Sequence, residues 1–437
     1  MPNKSPSAFA KPSRRDFLNS TAAASAFLLA PAAAAAPLDN RDSLPAPFAN
    51  LKPLGNRVRP ISAEEFRGRI AEAQKRMGES QPAFDALFIA PGIALYYFTG
   101  IHWGLSERLL GVLIPKTGQP ILVVPAFEEG RLREKLKFPI DVHIWQEDQS
   151  PTQIAAAALA DHGIRTGQIG VEETAGFSFF DHFRQAAPGF TFASAEAVTV
   201  GCRAHKSPHE LELMRLACDA TFDVFTAVFA SLKEGLSQDD IGNLVEAGFA
   251  KMNLRGDALT LVGASAALPH GTLQPRSLKP GDVILIDGGC TVEGYQSDIT
   301  RTGVLGTPPK KVSQVFEIVR NAQNAALEAA RAGKLSGTVD DDARAVITTA
   351  GYGPDYKYFT HRLGHGIGLD GHEHPYLVRG STTLLEASMT FSNEPGIYIP
   401  GEFGLRCEDD MVITADGPAK LLTKGFQASL EKPLDFV

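Results

Sequence analysis

The chain has 437 residues, 44% of them apolar and 21% charged, with a formal charge of −8. That length exceeds one ordinary core and sets two domains as the expectation, with apolar material enough for both. The negative balance excludes the basic footprint of a nucleic-acid binder or of a protein held on an anionic membrane.

The first segment stands apart from the fold. Ser13-Arg14-Arg15-Asp16-Phe17-Leu18, followed by TAAASAFLLAPAAAAA, reads as a twin-arginine signal peptide over residues 1–36. Its apolar stretch is short, Ala-rich and broken by Pro31, so no stable membrane span is expected. The export pattern predicts a periplasmic or otherwise exported protein. Residues 37–60 are rich in Pro, Asn and Leu without periodicity and read as a linker or arm.

Ser62 and Glu65 form a capping box that opens a helix to about Gly78. DALFIAP, ALYYFTG, GVLIP and PILVVP then read as short apolar strands. A helix from about Phe127, the strand DVHIW, another helix and the strand QIGVEE follow. This alternation predicts an α/β domain over 61–200. Ser207, Pro208 and Glu210 supply an N-cap, a proline at the first helical position and an acid at the third. They open a long helix to about Leu232 and mark a second domain, 201–437. Ser237 caps a further helix, and helices at about 310–332 and 338–350 are expected between strands. Cys202, Cys218, Cys290 and Cys407 show no CxxC spacing, which argues against a zinc ribbon or a redox pair and for buried thiols.

The chemistry concentrates in five side chains of the second domain: Asp287 in ILIDGG, Asp298 in QSDITRTG, His365 in HRLGHGIGL, Glu394 in SNEPGIY and Glu408 in GLRCEDD. Four carboxylates and one imidazole suit a pair of divalent cations, because carboxylates bridge two ions and a neutral imidazole does not. An oxygen-rich set with one nitrogen favours Mn²⁺, Co²⁺, Fe²⁺ or Zn²⁺. The apolar run before Asp287 and the strand composition after Asp298 predict a hairpin that sets the two acids together. The glycines around His365 oppose a helix and predict an extended segment that passes close to a ligand. Arg406 and Glu408 share a strand face, while Cys407 points away.

These motifs, in this order, resemble the pita-bread metallopeptidases of the proline-specific branch, aminopeptidase P and prolidase. The resemblance covers roughly residues 60–437, since YYFTG at 96–100 and the KSPHELELMRLA junction are similar to the creatinase-type N-terminal domain of that branch. It implies a fold of class α/β (α+β), with a creatinase-like domain followed by a pita-bread domain. It implies two divalent metal ions, Mn²⁺ first. Asp287 would hold one, His365 and Glu394 the other, and Asp298 and Glu408 would bridge both. It further implies His270, His361 and His372 as active-site histidines, Glu394 as the general base, Arg406 beside the bridging Glu408, and Tyr398 near the substrate. The implied substrate is a short peptide with proline at the second position, and the implied assembly a homo-oligomer, dimer or tetramer. No basic residue lies between Glu394 and Arg406 to take a free prolyl carboxylate, which tilts the expectation to aminopeptidase P over prolidase. A hydrolase or lyase of a small metabolite on the same scaffold is the further alternative. The other histidines (His102, His143, His162, His182, His205, His209) are isolated from the constellation and read as packing or solvated groups.

Overall fold

The computed structural model describes residues 44–274 and 276–437; the export signal expected at 1–36 lies outside the described residues. Residues 47–60 are a packed arm. Phe48, Leu51 and Leu54 are buried, and Arg57 and Arg59 reach Asp219 at 2.9 Å and Glu212 at 2.7 Å. The capping box at Ser62 and Glu65 opens the helix Ala63–Glu79 as expected.

The N-terminal sheet has six strands: β1 (Ala86–Ile89), β2 (Gly111–Pro115), β3 (Ile121–Pro125), β4 (Asp141–Trp145), β5 (Gly167–Val171) and β6 (Phe190–Ser194), in the order β4-β3-β2-β1-β5-β6. β1, β2 and β3 form an antiparallel run, while β4, β5 and β6 join in parallel. Strands β1 to β3 are buried at every residue, which explains why they read as unbroken apolar runs. ALYYFTG departs from expectation: Ile93–Thr99 is a helix, closed by Gly100 in the left-handed conformation (φ 74°). Ala94 through Thr99 are all buried, and a short run buried on every side carries no period to separate helix from strand. The helix expected from Phe127 is confined to Glu129–Arg133, after a 3₁₀ turn. The helix Glu196–Ala204 runs across residue 200 into the second half.

There, capped helices Pro208–Phe229 and Gln238–Lys251 precede β7 (Arg255–Val262), β8 (Val283–Val292), β9 (Tyr295–Gln296) and β10 (Ile299–Val304). β8 lies between β10 and β7, and β9 folds back on it. After helices Lys310–Ala329 and Ser336–Ile347 come β11 (Gly364–Gly366), β12 (Glu373–Leu377), β13 (Thr390–Asn393), β14 (Gly396–Ile399), β15 (Phe403–Arg406), β16 (Asp409–Val412) and β17 (Lys420–Leu421). They form a sheet β12-β11-β13-β16-β17 and the hairpin β14-β15. One core, including Leu285, Phe316, Leu363, Phe391, Leu405 and Cys407, ties these sheets to the helices. Among the described residues no helix is long and apolar enough to cross a membrane.

Buried polar bonds join the two halves. Arg69, 8% exposed, donates to Glu210 at 2.9 Å and to the Tyr295 hydroxyl at 3.0 Å. Within the second half, Lys206 meets Glu373 at 2.6 Å, with both side chains almost fully buried. Removing one partner of such a pair strands a buried charge at a cost of about 3–5 kcal/mol.

Candidate active site

The antiparallel pairing of β8 and β10 places Thr300 opposite Asp287, with Asp298 one residue before β10. Glu394 follows β13 directly, and Glu408 sits between β15 and β16. His365 lies at the centre of β11, pressed between β12 and β13. The glycines flanking it serve that squeeze: a Cβ on Gly364 would collide with the Ser392 carbonyl, and one on Gly366 with the Glu373 carbonyl. The sequence expectation of close approach holds, but the object approached is the neighbouring backbone.

Asp287, Asp298 and Glu408 each bring a carboxylate oxygen within 4.8 Å of the others, and so do ligand atoms of His365, Glu394 and Glu408. Glu408 thus belongs to both groups. Asp298 also reaches across, its Oδ2 3.7 Å from His365 Nε2. Glu408 and Asp298 thus stand between the two groups. His365 directs Nδ1 at the Gly366 carbonyl (3.1 Å) and Nε2 at Glu394 Oε1 (3.3 Å), which aims its second nitrogen into the cluster.

The electrostatics fit a cation pair. Burial and the neighbouring Asp287 hold Asp298 well above the carboxylate range, and burial and Asp298 do the same to Glu408. Burial would lower His365 and raise Glu394, but their mutual hydrogen bond and charge outweigh it. His365 is held at about 9 and Glu394 at about 2. Asp287, Asp298, Glu394 and Glu408 converge on one point, and besides His365 the cavity offers them only Arg406 and Arg362 among the described residues, so the donor set is short of positive charge. Two divalent ions would supply it.

A surrounding layer fixes these side chains, and the sequence reading missed it. Thr300 Oγ1 lies 2.6 Å from Glu408 Oε2 and also meets Asp287. Ser392 Oγ accepts from the His365 amide at 3.0 Å and reaches Glu394 Oε1 at 3.2 Å. Asp410 Oδ2 accepts the Asp298 amide at 3.0 Å. Each stands two residues from an expected ligand (Thr300 from Asp298, Ser392 from Glu394, Asp410 from Glu408). An i±2 search along each ligand's extended segment, where such residues share a face, would have found all three.

The cavity over the cluster, ≈ 130 Å³, is lined by all five expected ligands and by His270, His361, Arg362, His372 and Arg406. His372 stacks on His365 with ring centroids 3.8 Å apart. His361 sets Nε2 2.8 Å from the Tyr398 hydroxyl and Nδ1 2.8 Å from the Arg362 carbonyl, and burial pushes it down to about 4, so it is neutral. His270 lies on an exposed turn at the rim. Arg406 pairs with Asp287 and donates to the Tyr398 hydroxyl and Thr300 Oγ1, each at 3.0 Å. Tyr398 itself is 1% exposed and stands behind His361 and Arg406, outside the cavity wall. Arg362 was not anticipated. Its guanidinium lies over the Tyr376 ring at 4.2 Å, and among the described residues it makes no ion pair.

The four cysteines are free and buried. Of the six histidines set aside, His102 stacks on Tyr96, His205 meets Glu386, His209 meets Glu65 and His182 is exposed. His143 and His162 do not stay isolated: both converge on Asp141.

Two family descriptions match the chain: Creatinase/Prolidase N-terminal domain over residues 69–205 and Metallopeptidase family M24 over 212–415. The Xaa-Pro dipeptidase of Pyrococcus furiosus is 33% identical over 363 residues, 82% of this chain and 98% of that one. The recombinant prolidase from Thermococcus sibiricus superposes with a TM-score of 0.74 at 31% identity, covering 82% of this chain and 97% of that one. The X-Pro aminopeptidase from Thermotoga maritima gives 0.69 at 28% identity, covering 80% and 97%. With its creatinase-like domain leading into this carboxylate and histidine cluster, the chain belongs to metallopeptidase family M24 and is a metallopeptidase.

Proposed function

We propose that the chain is an Xaa-Pro dipeptidase, which replaces the expectation of aminopeptidase P. The observation that carries it is Arg362: a guanidinium without an anionic partner among the described residues, on the wall of the small cavity that holds the ligand set. A dipeptide ending in proline offers the free carboxylate such a group binds, and charge-assisted contacts of this kind are among the strong ones. The sequence reading sought a basic residue only between Glu394 and Arg406, whereas the fold brings one from beside His361. The relatives named for Xaa-Pro dipeptidase or prolidase activity, at 31% and 33% identity, support the same reading over the aminopeptidase at 28%.

Asp287, Asp298, His365, Glu394 and Glu408 would hold two divalent ions, Mn²⁺ first given the oxygen-rich set. Bound there, they would polarise the scissile carbonyl and lower the pKa of water to about 7. The protein's own groups do the rest. The Glu394 carboxylate takes the proton of the attacking water and returns it to the prolyl nitrogen, which as a tertiary amide carries none of its own. His361 is neutral, its Nδ1–H donated to the Arg362 carbonyl and its Nε2 on the Tyr398 hydroxyl, so it holds the cavity wall beside Glu394 rather than donating to the reacting atoms. His372 and His270 close the opposite wall and rim. The twin-arginine pattern at Ser13–Leu18 supports export as part of this proposal, and fractionation of cells carrying the full chain tests it.

Arg362→Met tests the assignment. Loss of a charged hydrogen bond, about 1.5–3 kcal/mol, should raise KM for Gly-Pro about ten- to hundredfold with a smaller change in kcat. Gly-Pro-amide, lacking the carboxylate, should be insensitive to the substitution. An unchanged KM for Gly-Pro would sink the carboxylate role and return the reading to aminopeptidase P.

A further inference from the structure

We propose a second metal-binding site, for a single Zn²⁺-class ion, formed by Asp141, His143 and His162 on the outer edge of the N-terminal sheet. Asp141 and His143 lie two residues apart on β4, so they project from the same face of the strand. β4 is the edge of its sheet. His162 is the C-cap residue of the helix Pro151–Asp161, its own amide bonded back to the Ala158 and Ala160 carbonyls. Two separate elements therefore deliver three ligand side chains to one point.

At that point both imidazoles present Nε2 to the same oxygen. His143 Nε2 lies 3.0 Å and His162 Nε2 2.9 Å from Asp141 Oδ2, and the three ligand atoms fall within 4.8 Å of one another. A tetrahedral ion with bonds of about 2.0–2.1 Å separates its ligand atoms by about 3.3 Å, so each Asp–His distance need open by only a few tenths of an ångström to admit one. The side chains are 26–42% exposed, which leaves a route of entry and room for water to complete the shell.

The donor set decides the metal. Two imidazoles and one carboxylate suit Zn²⁺, Ni²⁺ or Co²⁺, whereas the active site, with four carboxylates to one imidazole, suits Mn²⁺. The two centres sort ions by ligand chemistry within one chain. An ion at Asp141 staples the edge strand to the end of its covering helix. It also shields a strand whose outer backbone would otherwise be open to pairing.

Zinc uptake by the manganese-loaded enzyme tests this. Wild type and His143→Gln/His162→Gln are first matched for activity on a peptide substrate, then equilibrated with micromolar Zn²⁺, dialysed and measured for zinc by atomic emission. The wild type should retain one more zinc per chain than the double variant. The single His162→Gln, on an exposed cap position, should lose the same equivalent and guards against a folding defect in the double variant. Equal zinc in wild type and variants would overturn the proposal and leave the trio as a hydrogen-bonded clamp.

Discussion

Replacing Arg406 by Met should weaken the metal-free protein far more than the metal-loaded one. Arg406 is 4% exposed at its side chain, pairs with Asp287 and lies 3.7 Å from Glu408 Oε2. Its charge offsets a cluster in which Asp298 and Glu408 are already pushed above the carboxylate range by burial and by their neighbours. Methionine keeps most of the stem and removes the charge. Without metal, the stranded buried anions should cost about 3–5 kcal/mol. With two divalent ions bound, the cluster has other positive charge. The loss then reduces to the hydrogen bonds to Thr300 and Tyr398, about 0.5–1.5 kcal/mol each. Calorimetric scans of wild type and variant, each EDTA-treated and Mn²⁺-loaded at one scan rate, measure this. The fall in melting temperature should be clearly larger in the metal-free pair. Equal falls would refute the charge-balance role and leave Arg406 as a packing and hydrogen-bonding residue.

Other outcomes follow from the same geometry. Thr300→Val removes the hydroxyl that touches Glu408 and Asp287, and should weaken metal binding about 10–100-fold in a competition titration while leaving the five ligands in place. In the metal-free protein His365 keeps its proton up to about 9, so an incoming ion must displace it. Metal affinity should therefore rise about tenfold per pH unit between pH 7 and 9 and fall below, with proton release visible in weakly buffered calorimetry. The sign for folding is opposite: the raised pKa gives the metal-free fold a contribution present below about 6.5 and lost as the pH rises through 9. Burial pushes the thiols of Cys202, Cys290 and Cys407 up to about 12, and Cys218 also rises. All four should ignore a thiol reagent in the native state and react together in guanidinium.

Much of this was readable in the sequence because it rests on local chemistry. Ser62, Ser207 and Ser237 announce their helices through caps that each need only four residues. Asp287 ends the apolar run Val283–Ile286, where an acid has little structural reason to be, and the other four expected ligands stand in short motifs whose glycines and strand composition mark them. What the sequence hid depends on long-range packing. ALYYFTG forms a helix buried on every side, so no polar face marks its period, and its composition alone suggests a strand. Arg362 carries no pattern of its own, and only the approach of β11 to β13 shows that it faces the ligands rather than solvent. Asp141, His143 and His162 are 21 residues apart at most and meet through a helix that returns to its own strand. The layer of Thr300, Ser392 and Asp410 was within reach, through the two-residue period that also orients the ligands.

The most direct test of the central claim is a comparison of Gly-Pro, Arg-Pro-Pro and Arg-Ala-Ala as substrates of the Mn²⁺-loaded chain, with Glu408→Ala as the blank. Efficient cleavage of Gly-Pro, weak release of arginine from Arg-Pro-Pro, and silence on Arg-Ala-Ala and in the blank is the predicted result. Efficient release of arginine from Arg-Pro-Pro with Gly-Pro left intact would contradict the dipeptidase account and the role given to Arg362.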